Sequence, residues 1–222
     1  MTTPRDLLIV AMDGESGRPA DRGSLSLALA GAEVVDLLGA RAVALDGDRV
    51  VPGDLPSLDD PLLREAASSL VRQAPYESVE DWLWRRGRDL SSAYVTAFET
   101  EGQLTRQRRR LVSFRAGDLA LVDSPARRGA VDRWESHEPV LVALATAAGL
   151  YGEPFDETEA AEDSPNTPDS PSTPDTSDAL DIADDAVATV LAAVNDAVME
   201  LEAVRQRRSI EDAAFDNVWR GL

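Results

Sequence analysis

Residues Ser24 to Leu45 read SLSLALAGAEVVDLLGARAVAL, and this stretch decides the fold. Leu25, Ala28, Leu29, Ala32, Val35 and Leu38 recur at steps of three and four, the period of a helix face. Leu27, Val34 and Leu37 widen that face almost to a full circle, so the spacing predicts an interior helix with Ser24 as its cap and Gly39 as its stop. Arg41 to Leu45, the turn Asp46-Gly47-Asp48 and Arg49 to Val51 then read as a short β-hairpin, because Asp-Gly supplies the positive φ of a tight two-strand turn. The fold class expected is mostly α: a helical domain around a buried central helix, with small β-hairpins.

On the N-terminal side, Thr3-Pro4-Arg5-Asp6 has the pattern of a cap, a first-turn proline and a first-turn acid, which predicts a short buried helix over Pro4 to Met12. On the C-terminal side, Asp60-Pro61 opens a helix whose Leu62, Leu63, Ala66, Ala67, Leu70 and Val71 should face the central one. Ser78 to Asp81 caps a helix carrying Trp82, Leu83 and Trp84 that stops at Gly87, and Leu90, Ala93, Tyr94, Ala97 and Phe98 stripe another that closes at Gly102. Leu104 to Phe114 reads as two short strands around an arginine-rich tip, and Leu119 to Val122 is weakly strand-like. The polar run Ser124 to Trp134 has no clear assignment, and Glu138-Pro139 starts a very apolar helix over Val140 to Leu150.

The expected organisation is a helical core over 1–152, an acidic Pro/Ser/Thr-rich disordered linker over 153–178, and a C-terminal helix over 179–222 that packs back on the core. Pro165, Pro168, Pro171 and Pro174 interrupt the linker among repelling acids, with too little apolar surface to offset the entropy of ordering it. Leu180, Ala183, Val187, Val190, Val194, Val198, Leu201 and Val204 keep a helical period beyond it.

The formal charge of −19 argues against general affinity for nucleic acid. Every basic residue except His137 is Arg, which suits bidentate contacts to phosphate or carboxylate. Without Cys there are no disulfides, thiolate metal sites or thiol nucleophiles. Leu7 to Met12 is too short for a signal segment, and no apolar run reaches the roughly 18 residues that span a bilayer, so the location expected is cytoplasmic with membrane contact only peripheral. No catalytic constellation emerges. His137 stands alone, Asp13 with Glu15 and Asp59 with Asp60 are pairs expected by chance among 41 acids, and Gly14 and Gly17 are not spaced to cradle phosphate. No enzymatic activity, cofactor or metal is expected.

Two arginine clusters stand above this background: Arg85, Arg86 and Arg88 between two helices beside Trp82 and Trp84, and Arg106, Arg108, Arg109 and Arg110 at the second hairpin tip. Grouped guanidiniums receive phosphate, from a lipid headgroup or from nucleic acid, although a charge run also makes an ordinary solvated face.

The order of pieces resembles the Golgi phosphoprotein 3 family, in its bacterial, actinomycete form. The resemblance rests on Asp13-Gly-Glu-Ser-Gly17 after an apolar helix, the helix from Leu25 to Glu33, the hairpin, Asp60 to Ala66, Val79 to Leu83, Glu101 to Leu104, and Val140 to Leu150. It implies a mostly helical fold around a buried helix, a protruding hairpin, and a non-enzymatic peripheral membrane adaptor that binds phosphatidylinositol 4-phosphate. It also implies where the anionic phospholipid headgroup sits. Arg88 matches one family arginine, while Asp21 stands where the family has Trp, and Ala30 and Ser91 where it has Arg; Arg22 and Arg85 are the substitutes at hand. By the same resemblance Arg106, Arg108, Arg109 and Arg110 form an oligomerisation hairpin that docks on acidic surface of a second copy. Two other readings stay open: a winged-helix DNA-binding protein with these arginines in its wing, and shielding of either arginine cluster by the acidic linker.

Overall fold

The computed structural model describes residues 2–13, 21–54, 57–106, 119–150 and 177–220. Within these the chain is mostly helical with two small antiparallel strand pairs, as the sequence predicts.

The centre is α2 (Arg22–Gly39), in which every residue from Ser24 to Val34 is buried. A helix that is apolar all round needs neighbours all round. They are α1 (Thr3–Asp13), α3 (Pro61–Ser68), α4 (Val79–Arg86), α5 (Leu90–Thr100), α7 (Pro139–Ala147) and α8 (Ser177–Arg220), with α8 making the most extensive contact. The strands β1 (Val43–Asp46) and β2 (Arg49–Pro52) pair antiparallel with Asp46 opposite Arg49, so Gly47 and Asp48 form the turn, and Gly47 takes φ +60°.

Local chemistry fixes most boundaries. Asp60 Oδ1 accepts the Leu62 and Leu63 amides ahead of α3, with Pro61 in its first turn. Ser78 and Asp81 form a reciprocal capping box on α4, and Gly87 ends it. Gly102 is left-handed beyond α5, at φ +72°.

Several expectations are corrected. The cap of α2 is Asp21, whose carboxylate accepts the Ser24 amide at 2.8 Å, and Ser24 lies inside the helix. Gly39 remains helical while Arg41 takes the left-handed turn at φ +57°. Thr3 is already in α1, where its amide donates to Asp36 Oδ2 of α2 at 2.8 Å. Leu70 and Val71 follow the end of α3 at Ser68. The strand β3 (Leu104–Arg106) pairs with β4 (Leu119–Leu121), so its partner comes from the weakly strand-like segment; Leu111 to Phe114 lies outside the described residues. The unassigned run folds as α6 (Pro125–Glu135), capped by the Ser124 side chain on the Arg127 amide. The predicted linker lies outside the described residues up to 176, and α8 begins at Ser177.

Buried carboxylates tie the helices together. Glu33 of α2, fully buried, receives Arg86 Nε at 2.8 Å and Nη2 at 3.0 Å and the Tyr94 hydroxyl at 3.0 Å, and Arg86 Nη1 reaches on to Glu65 at 2.7 Å. Arg133 of α6 bridges Asp6 and Glu138, and Arg5 bridges Asp60 and Glu101 while lying over the Phe98 ring.

Candidate functional site

The N-termini of α2 and α5 meet at a cleft of about 260 Å³. Two serines hold them there. Ser26 Oγ donates to the Arg22 carbonyl at 2.7 Å and accepts the Ser91 amide at 3.1 Å, while the Ser91 hydroxyl lies 2.9 Å from Ser26 Oγ and 3.3 Å from the Arg22 carbonyl. The first turn of each helix is thereby locked to the other.

Arg22 and Arg88 line this cleft, and among the described residues neither guanidinium has an ion-pair partner. Arg41, Arg64, Arg72, Arg207 and Arg208 likewise form no ion pair among the described residues, so what distinguishes Arg22 and Arg88 is that they share one cleft, whereas Arg5, Arg86, Arg127, Arg133 and Arg205 are paired. Half-buried Trp84 forms one wall, Leu201 of α8 another, and Asp89 lies at the start of α5. Asp89 holds a left-handed backbone, φ +55°, and makes no side-chain cap to α5. Two helix N-termini add partial positive charge to the two arginines, which suits an anion. The volume falls just under the roughly 300–1,000 Å³ of pockets for drug-sized ligands, a size for a polar headgroup.

The other predicted residues go elsewhere. Arg85 lies outside the cleft: it forks onto Glu77 at 2.7–3.0 Å, donates to the Ser69 carbonyl and sits 5.0 Å from the Trp82 ring centre. Arg86 belongs to the core network of Glu33. Ala30 is fully buried, and its carbonyl accepts the Trp82 indole N–H at 3.1 Å. Arg106 ends β3, and Arg108, Arg109 and Arg110 lie outside the described residues. His137 is exposed in a left-handed turn with Nδ1 3.0 Å from the Glu135 carbonyl. Asp13 pairs with Arg127, and Asp60 caps α3. Reading the sequence missed Trp84 as a wall, Ser26 as the lock, and Leu201. Ser26 stands one helical turn after Arg22, which is a readable signal; Leu201 has none, because its place depends on how α8 docks.

No helix among the described residues is long and apolar enough to cross a membrane. The description of the Golgi phosphoprotein 3 (GPP34) family matches residues 4–201, so the chain belongs to that family, whose members are non-enzymatic adaptors. A search of curated proteins gives no match.

Proposed function

We propose that this protein is a non-enzymatic peripheral adaptor that binds the phosphorylated headgroup of an anionic phospholipid, with phosphatidylinositol 4-phosphate as the reference ligand. The observation that carries the reading is that Arg22 and Arg88, without ion partners among the described residues, line one cleft where two helix N-termini converge. Guanidiniums grip phosphate oxygens in pairs of parallel hydrogen bonds, and helix N-termini supply amide donors and a favourable dipole. Family membership supports the adaptor class. Arg85, outside the cleft with its fork committed to Glu77, is not part of the proposed site.

Flotation with vesicles of neutral lipid, with and without phosphatidylinositol 4-phosphate, tests this. Wild type should float only with the phosphoinositide, and Arg88→Ala should lose about tenfold in affinity, the worth of one charge-assisted contact. Binding should weaken between about 50 and 300 mM salt as the charges are screened. Wild type that stays at the bottom of a low-salt gradient would sink the lipid reading.

A further inference from the structure

Arg205 of α8 reaches the rim of the same cleft. Its Nη1 lies 2.5 Å from Asp21 Oδ2. Its guanidinium covers Gly23, where a β-carbon would meet Arg205 Nη2 at 2.5 Å and Leu201 Cδ2 at 2.9 Å. Gly23 and Leu201 both line the cleft, so the absence of a side chain at residue 23 is what lets this arginine lie against it. Asp21 is a fixed anchor, since the same Oδ2 accepts the Ser24 amide at 2.8 Å and the Ser24 hydroxyl at 2.9 Å. Both partners are open to water, at 41% and 46% side-chain exposure, so a guanidinium there can turn toward an arriving anion at little cost.

Resting on the phosphate-binding reading above, we propose that Arg205 is the third anion-binding guanidinium of this cleft, delivered by α8 and held beside Gly23 by Asp21 until the anion takes its place. The charges of the site explain the need. Among the charged groups that line the cleft, Arg22 and Arg88 share it with one carboxylate, Asp89, and the carboxylate of Asp21 next to Arg22 is offset by Arg205. A phosphate monoester approaching a chain of net charge −19 is repelled at long range. Arg205 offsets Asp21 and keeps the site cationic only while α8 is docked, so binding of the anion and docking of the last helix support one another. The ligand chemistry is a phosphate monoester, whether it sits on a lipid or on a soluble inositol.

The experiment uses the full chain and two probes: soluble inositol 1,4-bisphosphate, followed by isothermal titration calorimetry, and vesicles containing phosphatidylinositol 4-phosphate. Arg205→Ala should weaken both by about tenfold while the thermal unfolding midpoint confirms folding. Asp21→Asn separates supplying the charge from merely tethering α8. Asparagine keeps the cap on Ser24 and removes a negative charge, so affinity should hold or rise. Equal weakening by Arg205→Ala and Asp21→Asn would mean a tether and overturn the proposal. So would an Arg205→Ala protein whose soluble-probe affinity is unchanged while Arg88→Ala loses binding; the cleft would then stand with two arginines. Weakening on vesicles alone also overturns it, because it reports general attraction to a charged surface. Failure of wild type to bind either probe removes this proposal together with the reading it rests on.

Discussion

Gly31 of α2 and Val194 of α8 are in such close approach that a β-carbon on Gly31 would stand 2.3 Å from Val194 Cγ2. The most extensive helix contact among the described residues therefore passes directly over a position with no side chain.

Gly31→Ala should destabilise the fold by about 1–3 kcal/mol through overpacking, despite alanine's better helix propensity. Val194→Ala in the same chain should recover part of the loss, because it removes the colliding methyl. Urea unfolding of the two single variants and the double gives the coupling; strict additivity would mean that α8 does not rest on Gly31.

Neighbouring arginines should behave oppositely. Arg86→Ala strands the fully buried Glu33 and should cost about 3–5 kcal/mol, whereas Arg85→Ala breaks a pair whose arginine end is open to water and should cost less. Chemical denaturation of the two variants side by side checks the contrast. A double Glu33→Met, Arg86→Met variant should be closer to wild type than Arg86→Ala, since it leaves no buried charge unpaired.

Stability should rise on acidification from pH 7 to about pH 5. Burial raises the carboxyls of Glu33, Asp6 and Asp36 above their ordinary range, against the pull of Arg86 and Tyr94 on the first, of Arg133 on the second, and of Thr3 and Arg133 on the third. At these positions the native state takes up protons more readily than the unfolded chain, so their contribution falls as pH rises through the raised values and returns as pH drops. Relief of the net charge of −19 has the same sign. Asp21, held low by the Ser24 and Arg205 contacts despite some desolvation, acts in the opposite sense only below that window. Thermal melts across this range should show the trend, and Asp36→Asn, which keeps an acceptor for the Thr3 amide, should flatten it; a midpoint that falls steadily from pH 7 to 5 would contradict the assignment.

Ser26→Ala should cost about 1–3 kcal/mol, because the buried Ser91 amide loses its acceptor. If the serine pair also fixes the cleft, the same variant should weaken phosphoinositide flotation although it removes no charge. Flotation indistinguishable from wild type would show that the two helix starts hold their geometry without it.

Caps and periodicity made much of the fold legible. Asp60-Pro61 and Ser78 with Asp81 place their helices in the structure as they do in the sequence. The helix α6 escaped notice although Ser124-Pro125 is the same kind of signal, since only Ala130 among its residues is buried and no apolar stripe follows the cap. Asp21 and Ser24 are both good caps, and the hydrogen bond from one to the other decides between them. Within the site, Arg22 and Arg88 were named from sequence, but the grouping of Arg85 and Arg86 with Arg88 was not functional proximity. Successive helical residues point in different directions, and Arg86 turns inward to Glu33 while Arg85 turns to Glu77. Arg205 was illegible because its partner is Asp21, far away along the chain.

The assignment of one cleft wall to Leu201 also sets a timetable for synthesis. Arg22 and Arg88 leave the ribosome long before Leu201 and Arg205, and at roughly 5–20 residues per second the interval lasts seconds. During it, Gly31 and its neighbours lack the helix that covers them, and the cleft lacks a side. A growing polypeptide therefore completes the walls of this cleft last, and on the headgroup-binding reading proposed above a product truncated before Leu201 would bind no lipid.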